Sequence, residues 1–465
     1  MNRTGIFLAA AGVLALVALV AGLPRVGRTT IDPPISNPPS VSGSGSLTMT
    51  GRLSHPYVGL GQSDVFLTVD LRGVEVPGAQ RAPLNLALVI DRSGSMSGFK
   101  LTQAKQAAKQ LVSQLTANDR LSIVHYGSDV KSMAGTFATT ENKERMLAYI
   151  EGIWDDGGTN IGAGLSTGRD LLMAAKSDFR VNRMILISDG QPTEGLTDPD
   201  GLNAIVRETR QQGISVSSIG VGTDFNEDLM QGFAEAGAGA YAYLADASQL
   251  GTIFSKDLNQ AGTQVARNVT LTFELPPGVE LGEVLGYKSS QVGRTVKVSM
   301  PDFAASQLER VVARVVVSAG STGTTLDVAR LHLDYTDLLK NEAVANDASL
   351  SAMVTDKNEI VMKNRDKEAS VYAARARSAV NTQAAAELLK QGETDKANAL
   401  LDRNAFYFEE AAQVAGPAAV SGDVAEQKTM REDFGNARDE DGRQAAGKAA
   451  KRKARIDFGV TGSTY

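Results

Sequence analysis

The chain has 465 residues, a length that predicts two to four domains, and its 42% hydrophobic and 22% charged residues are ordinary for a globular protein. Its formal net charge of -6 lacks the basic balance of nucleic-acid-binding proteins, so no nucleic-acid partner is expected. It has no cysteine, which excludes disulfides, thiol catalysis and lipidation at a cysteine. The three histidines, His55, His125 and His332, are interpreted as packing or surface residues.

The N-terminal segment is apolar without interruption from Ile6 to Leu23 and has arginines on both sides. At about 1.5 Å per residue it covers roughly 27 Å, which is enough to span a thin bilayer. We therefore expect residues 6–23 to lie in the membrane as part of a signal anchor, residues 1–30, with the rest of the chain outside the cytoplasm. The alternative is cleavage of residues 1–22, which would give a secreted or periplasmic protein.

Two separate stretches of the chain carry the alternating pattern of β-strands. After a spacer rich in Pro, Ser and Gly at residues 31–46, the pattern runs through residues 47–81 and returns in residues 263–345, with Gly and Pro at the turns. Two or three strands alone are marginally stable in water. We therefore expect both stretches to form one β-sandwich, with residues 82–262 inserted in it.

The inserted residues 82–262 alternate between strand-like and helix-like patterns. The run from Leu84 to Ile90 is apolar at every position except Asn85, as in a strand buried on both faces of a parallel sheet, and the spacing from Leu101 to Leu115 predicts a helix after it. This alternation predicts an α/β doubly wound, Rossmann-like fold. A last helix at about residues 248–260 is expected to lead directly into the sandwich.

The C-terminal residues change to a composition rich in Ala, Lys and Glu. Residues 356–415 predict an α-helical hairpin with its turn near Gly392. Residues 416–465 are small, polar and charged, and are expected to form a disordered tail. A basic cluster in this tail is expected to be solvated; its members are Lys448, Lys451, Arg452, Lys453 and Arg455.

Three predicted loops of the α/β region carry oxygen-bearing side chains. Asp91, Ser93 and Ser95 follow the first apolar strand, Thr159 stands in a Gly-Gly-Thr-Asn turn, and Asp189 ends a second apolar strand. Ligands of parallel sheets bind at the carboxyl ends of the strands, and carboxylates with hydroxyls form a hard oxygen site that suits Mg²⁺. For the first loop alone, a Ser/Asp turn that caps the next helix is the alternative.

This pattern, Asp91-x-Ser93-x-Ser95 followed by Thr159 and Asp189, resembles the metal-ion-dependent adhesion site (MIDAS) of von Willebrand factor type A (VWA) domains, here of a bacterial envelope type. The resemblance covers about residues 82–262. It implies that the hydroxyls coordinate Mg²⁺, or alternatively Mn²⁺, with both carboxylates acting largely through water. It also implies capture of an Asp or Glu carboxylate from a partner protein.

The predicted site favours binding over catalysis. A metal hydrolase needs a general base beside the ion, and the three loops contain no histidine, which leaves Asp155 or Asp156 for that less favoured function. The complete phosphate-binding P-loop motif, G-x-x-x-x-G-K-[ST], does not occur. We therefore expect a metal-dependent adhesion or assembly module of the cell envelope and no enzyme. A metal-independent assembly scaffold is the alternative.

Overall fold

The computed structural model describes residues 40–77, 81–222, 224–244, 258–260 and 262–460. The predicted membrane segment, residues 6–23, and most of the predicted helix at residues 248–260 lie outside these ranges. Within the described part of the chain, no helix is both long enough and apolar enough to cross a membrane.

Residues 84–244 contain a six-stranded sheet with helices on both faces. The strands are β5 (Leu84–Asp91), β6 (Arg120–Tyr126), β7 (Val130–Phe137), β8 (Val181–Ser188), β9 (Ser215–Val221) and β10 (Ala238–Leu244). The helices are α1 (Phe99–Gln114), α2 (Thr140–Glu151), α3 (Ile161–Met173), α4 (Pro199–Gln211) and α5 (Glu227–Ala236). The strand order is β10-β9-β8-β5-β6-β7, and all neighbours are parallel except β6 and β7.

The burial of β5, a central strand of this sheet, explains why its sequence is mostly apolar. Every residue of β5 is buried, because α1 and α2 cover one face of the sheet and α3, α4 and α5 cover the other. Each face has its own hydrophobic cluster. The predicted doubly wound fold is therefore confirmed.

Strands from both sides of the α/β domain in the sequence form two further sheets. The five-stranded sheet has the order β1-β2-β4-β16-β12, with β1 at Ser40–Ser42, β2 at Leu47–Leu53, β4 at Gly61–Gly73, β12 at Val279–Leu285 and β16 at Leu308–Ala319. The seven-stranded sheet consists of β3 (Tyr57–Val58), β11 (Gln264–Glu274), β13 (Ser289–Val292), β14 (Thr295–Ser299), β15 (Phe303–Ala304), β17 (Thr325–Asp337) and β18 (Glu342–Val354).

The pairing of β4 with β16 joins the two distant stretches of sequence. It runs antiparallel from Arg72 opposite Leu308 to Gly61 opposite Ala319. The five-stranded and seven-stranded sheets share one hydrophobic core, and β2 buries every second residue in it. Strands that precede the α/β domain therefore depend on strands that follow it for the burial of their apolar side chains.

The C-terminal region is helical throughout its described length. It contains α6 (Asn358–Lys363), α7 (Lys367–Lys390), α8 (Thr394–Ala415), α9 (Ser421–Asn436) and α10 (Glu440–Asp457). α7 and α8 form the predicted hairpin, and Gly392 in its turn has the left-handed backbone that favours glycine, with φ of 83°. The alanines of α7 and the end of α10 pack on the five-stranded sheet around Phe66.

The expectation of a disordered tail at residues 416–465 is wrong for its described part, residues 416–460. Met430 and Phe434 of α9 and Ala450 of α10 pack against the α7–α8 hairpin. Sequence reasoning failed here because α10 has few large apolar residues of its own. Its stability comes from docking on other elements rather than from an apolar face visible in the sequence.

The basic cluster of α10 is also not solvated as expected. Lys451 forms ion pairs with Glu227 of α5 and with Glu387 of α7, and Arg455 donates to Glu235 of α5 at 2.9 Å. Arg452 is the exposed member of the cluster. The acidic partners lie far away in sequence, so the charge pattern of α10 alone could not reveal them.

Candidate metal centre

Asp91 ends β5, and its carboxylate is fully buried. Its Oδ1 accepts a hydrogen bond from the Ser93 N–H at 2.9 Å. Its Oδ2 accepts from the hydroxyls of Ser188 at 2.6 Å and Tyr126 at 3.2 Å. Burial raises the pKa of Asp91 to about 6, although the hydrogen bonds from Ser188 and Ser93 lower it. These donors fix the orientation of the carboxylate.

The two serines of the first loop lie close together. Their Oγ atoms are 3.1 Å apart, with Ser93 buried and Ser95 exposed. The loop is also tied to the turn that carries Thr159, because the Gly94 N–H donates to the Gly157 carbonyl at 3.0 Å. One hydroxyl of the pair is thus held inside the protein and the other faces solvent.

Thr159 is buried in the second loop. Its N–H donates to the Thr193 hydroxyl at 2.9 Å, and its carbonyl accepts from the N–H groups of Thr193 and Glu194. Gly157, two residues earlier, has a φ of 77°, and a Cβ there would lie 2.6 Å from the Ser128 Oγ. The turn therefore requires glycine and is fixed to the loop that follows β8.

Asp189 follows β8 directly and is fully buried. Its Oδ2 accepts from the Lys100 ammonium at 3.1 Å, whereas its Oδ1 is buried without a hydrogen-bond partner. A buried carboxylate oxygen without a partner is costly, so this atom marks a place where a cation would be stabilising.

The structure therefore brings the predicted loops together at one edge of the sheet. β5 and β8 are parallel neighbours and end side by side, so Asp91 and Asp189 lie at the same edge. In the ranges that the structure describes, no group of three or more His, Cys, Asp or Glu side chains could hold a metal ion. Metal binding here would depend on the three hydroxyls together with the two carboxylates, and such a donor set fits a hard cation.

Sequence reasoning missed three residues that shape this site. Ser188 donates to Asp91 and accepts from the Gly190 N–H at 2.8 Å. A polar residue at the end of a buried apolar strand must find a partner, which was the available signal. Lys100 pairs with Asp189 and Asp224. Burial lowers the pKa of Lys100, but these two carboxylates outweigh burial, and its pKa is raised.

Arg92 is the third residue that was missed. Its guanidinium is buried and forms ion pairs with Asp129 and Asp156, and its Nη1 also donates to the Asp156 carbonyl at 3.2 Å. The Arg92 carbonyl in turn accepts from the Asp156 N–H at 2.8 Å. Through the ion pair with Asp156 and these hydrogen bonds, Arg92 connects the first loop to the segment that precedes the Thr159 turn.

Comparison with known proteins identifies this domain. Residues 85–256 match the family model described as von Willebrand factor type A domain. The uncharacterized protein YfbK of Escherichia coli K12 is 30% identical over 229 residues, which are 49% of this chain and 39% of that protein. Human inter-alpha-trypsin inhibitor heavy chain H2 is 26% identical over 272 residues, 57% of this chain and 28% of its own length. The chain thus spans well under two thirds of these relatives.

A solved structure extends the likeness of fold beyond this domain. The von Willebrand factor type A protein from Catenulispora acidiphila superimposes with a TM-score of 0.63 at 16% identity, covering 86% of this chain and 91% of that one. The chain therefore contains a VWA domain and has bacterial homologues that contain one. VWA domains are in general protein-interaction or adhesion modules.

Proposed function

We propose that this protein is a divalent-metal-dependent adhesion or assembly module of the cell envelope, which captures an Asp or Glu carboxylate of a partner protein at a MIDAS. The observation that carries the proposal is the buried Asp189 Oδ1 without a hydrogen-bond partner, at the sheet edge where the Asp91 loop and the Thr159 turn meet. The VWA domain supports the general class of function, protein binding.

In this proposal the hydroxyls of Ser93, Ser95 and Thr159 hold Mg²⁺ or Mn²⁺, and Asp91 and Asp189 act largely through water. When bound, the ion supplies an electron-poor centre that attracts a carboxylate, since only two negative groups surround it. The Asp91 carboxylate already accepts three hydrogen bonds from protein groups, which orient it. The exposed Ser95 lies on the solvent side, where a partner approaches.

Two exposed aromatic side chains near these loops favour a protein as the partner. Phe99, four residues after Ser95, is 69% exposed, and Trp154, three residues before Gly157, is 65% exposed. Large aromatic side chains are enriched at the energetic centres of protein interfaces. We infer that Phe99 and Trp154 contact the partner beside its carboxylate.

The remaining parts of the proposal concern how the VWA domain is displayed. We propose that residues 6–23 anchor the chain in the membrane, with the VWA domain outside the cytoplasm, or that the protein is secreted or periplasmic if residues 1–22 are cleaved. The two sheets that share a core form a β-sandwich with the VWA domain inserted in it. Cell fractionation tests the location, and full-length protein found soluble in the cytoplasm would contradict the anchor.

A metal-independent assembly scaffold is the second candidate function. It is favoured by Lys100, whose ammonium supplies a positive charge 3.1 Å from Asp189 Oδ2 without any metal. In that case partner binding would not require a divalent ion.

Affinity purification of the full-length chain separates the two functions. Partners are captured in Mg²⁺ and in EDTA with the wild type, with Asp189→Asn, and with Asp170→Asn as a control. Asp170 is an exposed carboxylate in the last turn of α3, outside the three metal loops. A partner lost both in EDTA and with Asp189→Asn, but retained by the control, supports the metal-dependent function. A partner list unchanged in all samples supports the scaffold instead.

A further inference from the structure

A cavity of about 350 Å³ lies between the five-stranded sheet and the helices α7 and α8. Its charged and aromatic lining includes His55, Arg314, Arg365, Arg377, Tyr407 and Glu410. The volume falls within the range of small-molecule binding sites. It belongs to a different region from the VWA domain, and nothing in the proposed function uses it.

Guanidinium groups outnumber carboxylates among the residues that line this cavity. Glu410 bridges two arginines, with Oε1 3.0 Å from Arg365 and Oε2 3.1 Å from Arg377. Arg314 pairs with Asp64 at 3.0 Å. Burial, followed by the charge of Arg365, lowers the pKa of His55 to about 4, so its ring is neutral at pH 7. Three guanidinium groups thus face two carboxylates among the lining residues, and outside the lining Glu283 also pairs with Arg314, at 3.6 Å.

Hydrogen-bond donors also exceed acceptors in the cavity wall. Each guanidinium has five N–H donors, whereas Glu410 offers one oxygen to Arg365 and one to Arg377. The Arg365 side chain is only 9% exposed, and its Nε has no hydrogen-bond partner. A buried donor that lacks an acceptor is unfavourable, so protein groups do not satisfy all the donors of this wall.

The arginines are held in place before any ligand arrives. The guanidinium of Arg377 lies 4.0 Å from the centre of the Tyr407 ring while it also pairs with Glu410. Arg365 is fixed by the other oxygen of the same carboxylate. Fixed guanidinium groups lose little conformational entropy on binding and match the planar geometry of oxyanions.

We propose that this cavity binds a small ligand bearing an oxyanion, a carboxylate or a phosphate ester, between the sheet and the α7–α8 hairpin. The oxyanion accepts hydrogen bonds from Arg365 and Arg377. Because the lining comes from both the sheet and the hairpin, the bound ligand also fastens the two together.

Calorimetry with the full chain tests this, with succinate as the carboxylate probe and inorganic phosphate as the phosphate probe. Arg377→Gln should weaken binding at least tenfold, since it removes a charge-assisted contact. Arg403→Gln is the control, because Arg403 is an exposed arginine on α8, the other helix of the hairpin, and does not line the cavity. Saturable binding of one probe alone identifies the class, and saturable binding of both identifies an oxyanion site in the broader sense.

A second variant, expected to bind the probe more tightly, distinguishes a specific loss of binding from misfolding. Asp64→Asn removes a negative charge from the lining and should tighten oxyanion binding, whereas general damage to the fold would weaken it. The proposal is overturned if neither probe binds saturably to the wild type. It is equally overturned if Arg377→Gln binds as well as the wild type, or if Asp64→Asn does not bind more tightly.

Discussion

Lys448 of α10 offers a quantitative test of how the C-terminal helix docks on the VWA domain. Its side chain is buried, with the residue only 3% exposed, and Nζ lies 3.7 Å from the centre of the Phe225 ring and 5.1 Å from that of Tyr243. Burial lowers its pKa from 10.5 to about 7. Lys448→Met keeps most of the apolar stem on these rings and removes the charge.

The expected change in the free energy of unfolding follows from the shift in the pKa of Lys448. At about 1.4 kcal/mol per unit, the drop from 10.5 to about 7 corresponds to about 5 kcal/mol for holding the ammonium charged in this place. The cation–π contact with Phe225 returns about 1–2 kcal/mol. We therefore expect Lys448→Met to raise the free energy of unfolding by about 3–4 kcal/mol at about pH 6, within the range seen when buried charges are replaced.

The stability difference between Lys448→Met and the wild type should decrease as the pH rises. Below about pH 7 the lysine is protonated in both states, so the full cost is present. Between about pH 7 and 10.5 the unfolded chain binds more protons than the folded one, so the stability of the wild type rises with pH. At about pH 10 the difference between variant and wild type should fall below about 1 kcal/mol.

Urea unfolding followed by circular dichroism measures the difference, because a changed midpoint at an unchanged slope reports stability. Lys428→Met on α9 is the control, since that side chain is 80% exposed, and its free energy of unfolding should change by less than about 0.5 kcal/mol. The predicted destabilisation by the buried charge would be refuted if Lys448→Met had a lower urea midpoint than the wild type at about pH 6. It would also be refuted if the difference in free energy of unfolding between the two proteins did not decrease as the pH rises.

Three further predictions concern other parts of the chain. Asp91→Ala should abolish Mg²⁺ binding in calorimetry at a cost of about 1–3 kcal/mol of stability, since Ser188 and Tyr126 lose their acceptor; unchanged Mg²⁺ affinity would contradict the site. Deleting residues 47–76 should unfold the strands of residues 266–340 as judged by circular dichroism, because β4 pairs with β16; a stably folded fragment 266–340 would argue against this. Between pH 6.5 and about 4 only the unfolded chain protonates His55, so the free energy of unfolding of the wild type falls as the pH falls. His55→Gln should reduce that loss by up to about 3 kcal/mol in urea unfolding, and an unchanged pH dependence would contradict this role of His55.

The α/β domain was predictable because its signals are local. The run from Leu84 to Ile90 is apolar at every position but one, since the strand is covered on both faces, and loops after such strands meet at one edge whatever the details of packing. The alternation in β2 was also readable, because only one face of that strand is buried. These features depend on neighbours in sequence or on the period of a strand.

The remaining features depend on contacts between distant residues. Lys100 lies 89 positions before Asp189, and Lys390 lies 163 positions after Glu227, yet both form ion pairs. A lysine in a helix pattern reads as a surface residue until its partner is known. The docking of α10 could not be predicted for the same reason, since its basic side chains pair with acidic residues on α5 and α7.

Helix α5, which forms ion pairs with α10, is also hydrogen-bonded to the metal loops at its N-cap. The Asp189 carbonyl accepts from the Asn226 N–H at 2.7 Å, and Asn226 caps α5. Its neighbour Phe225 contacts Lys448, and its other neighbour Glu227 pairs with Lys390 and Lys451. A displacement of Asn226 must therefore strain or break contacts with α7 and α10. If a ligand at the metal loops displaces Asn226, its binding is coupled to the docking of the C-terminal helices, and by linkage the docking of those helices changes the ligand's affinity by the same free energy.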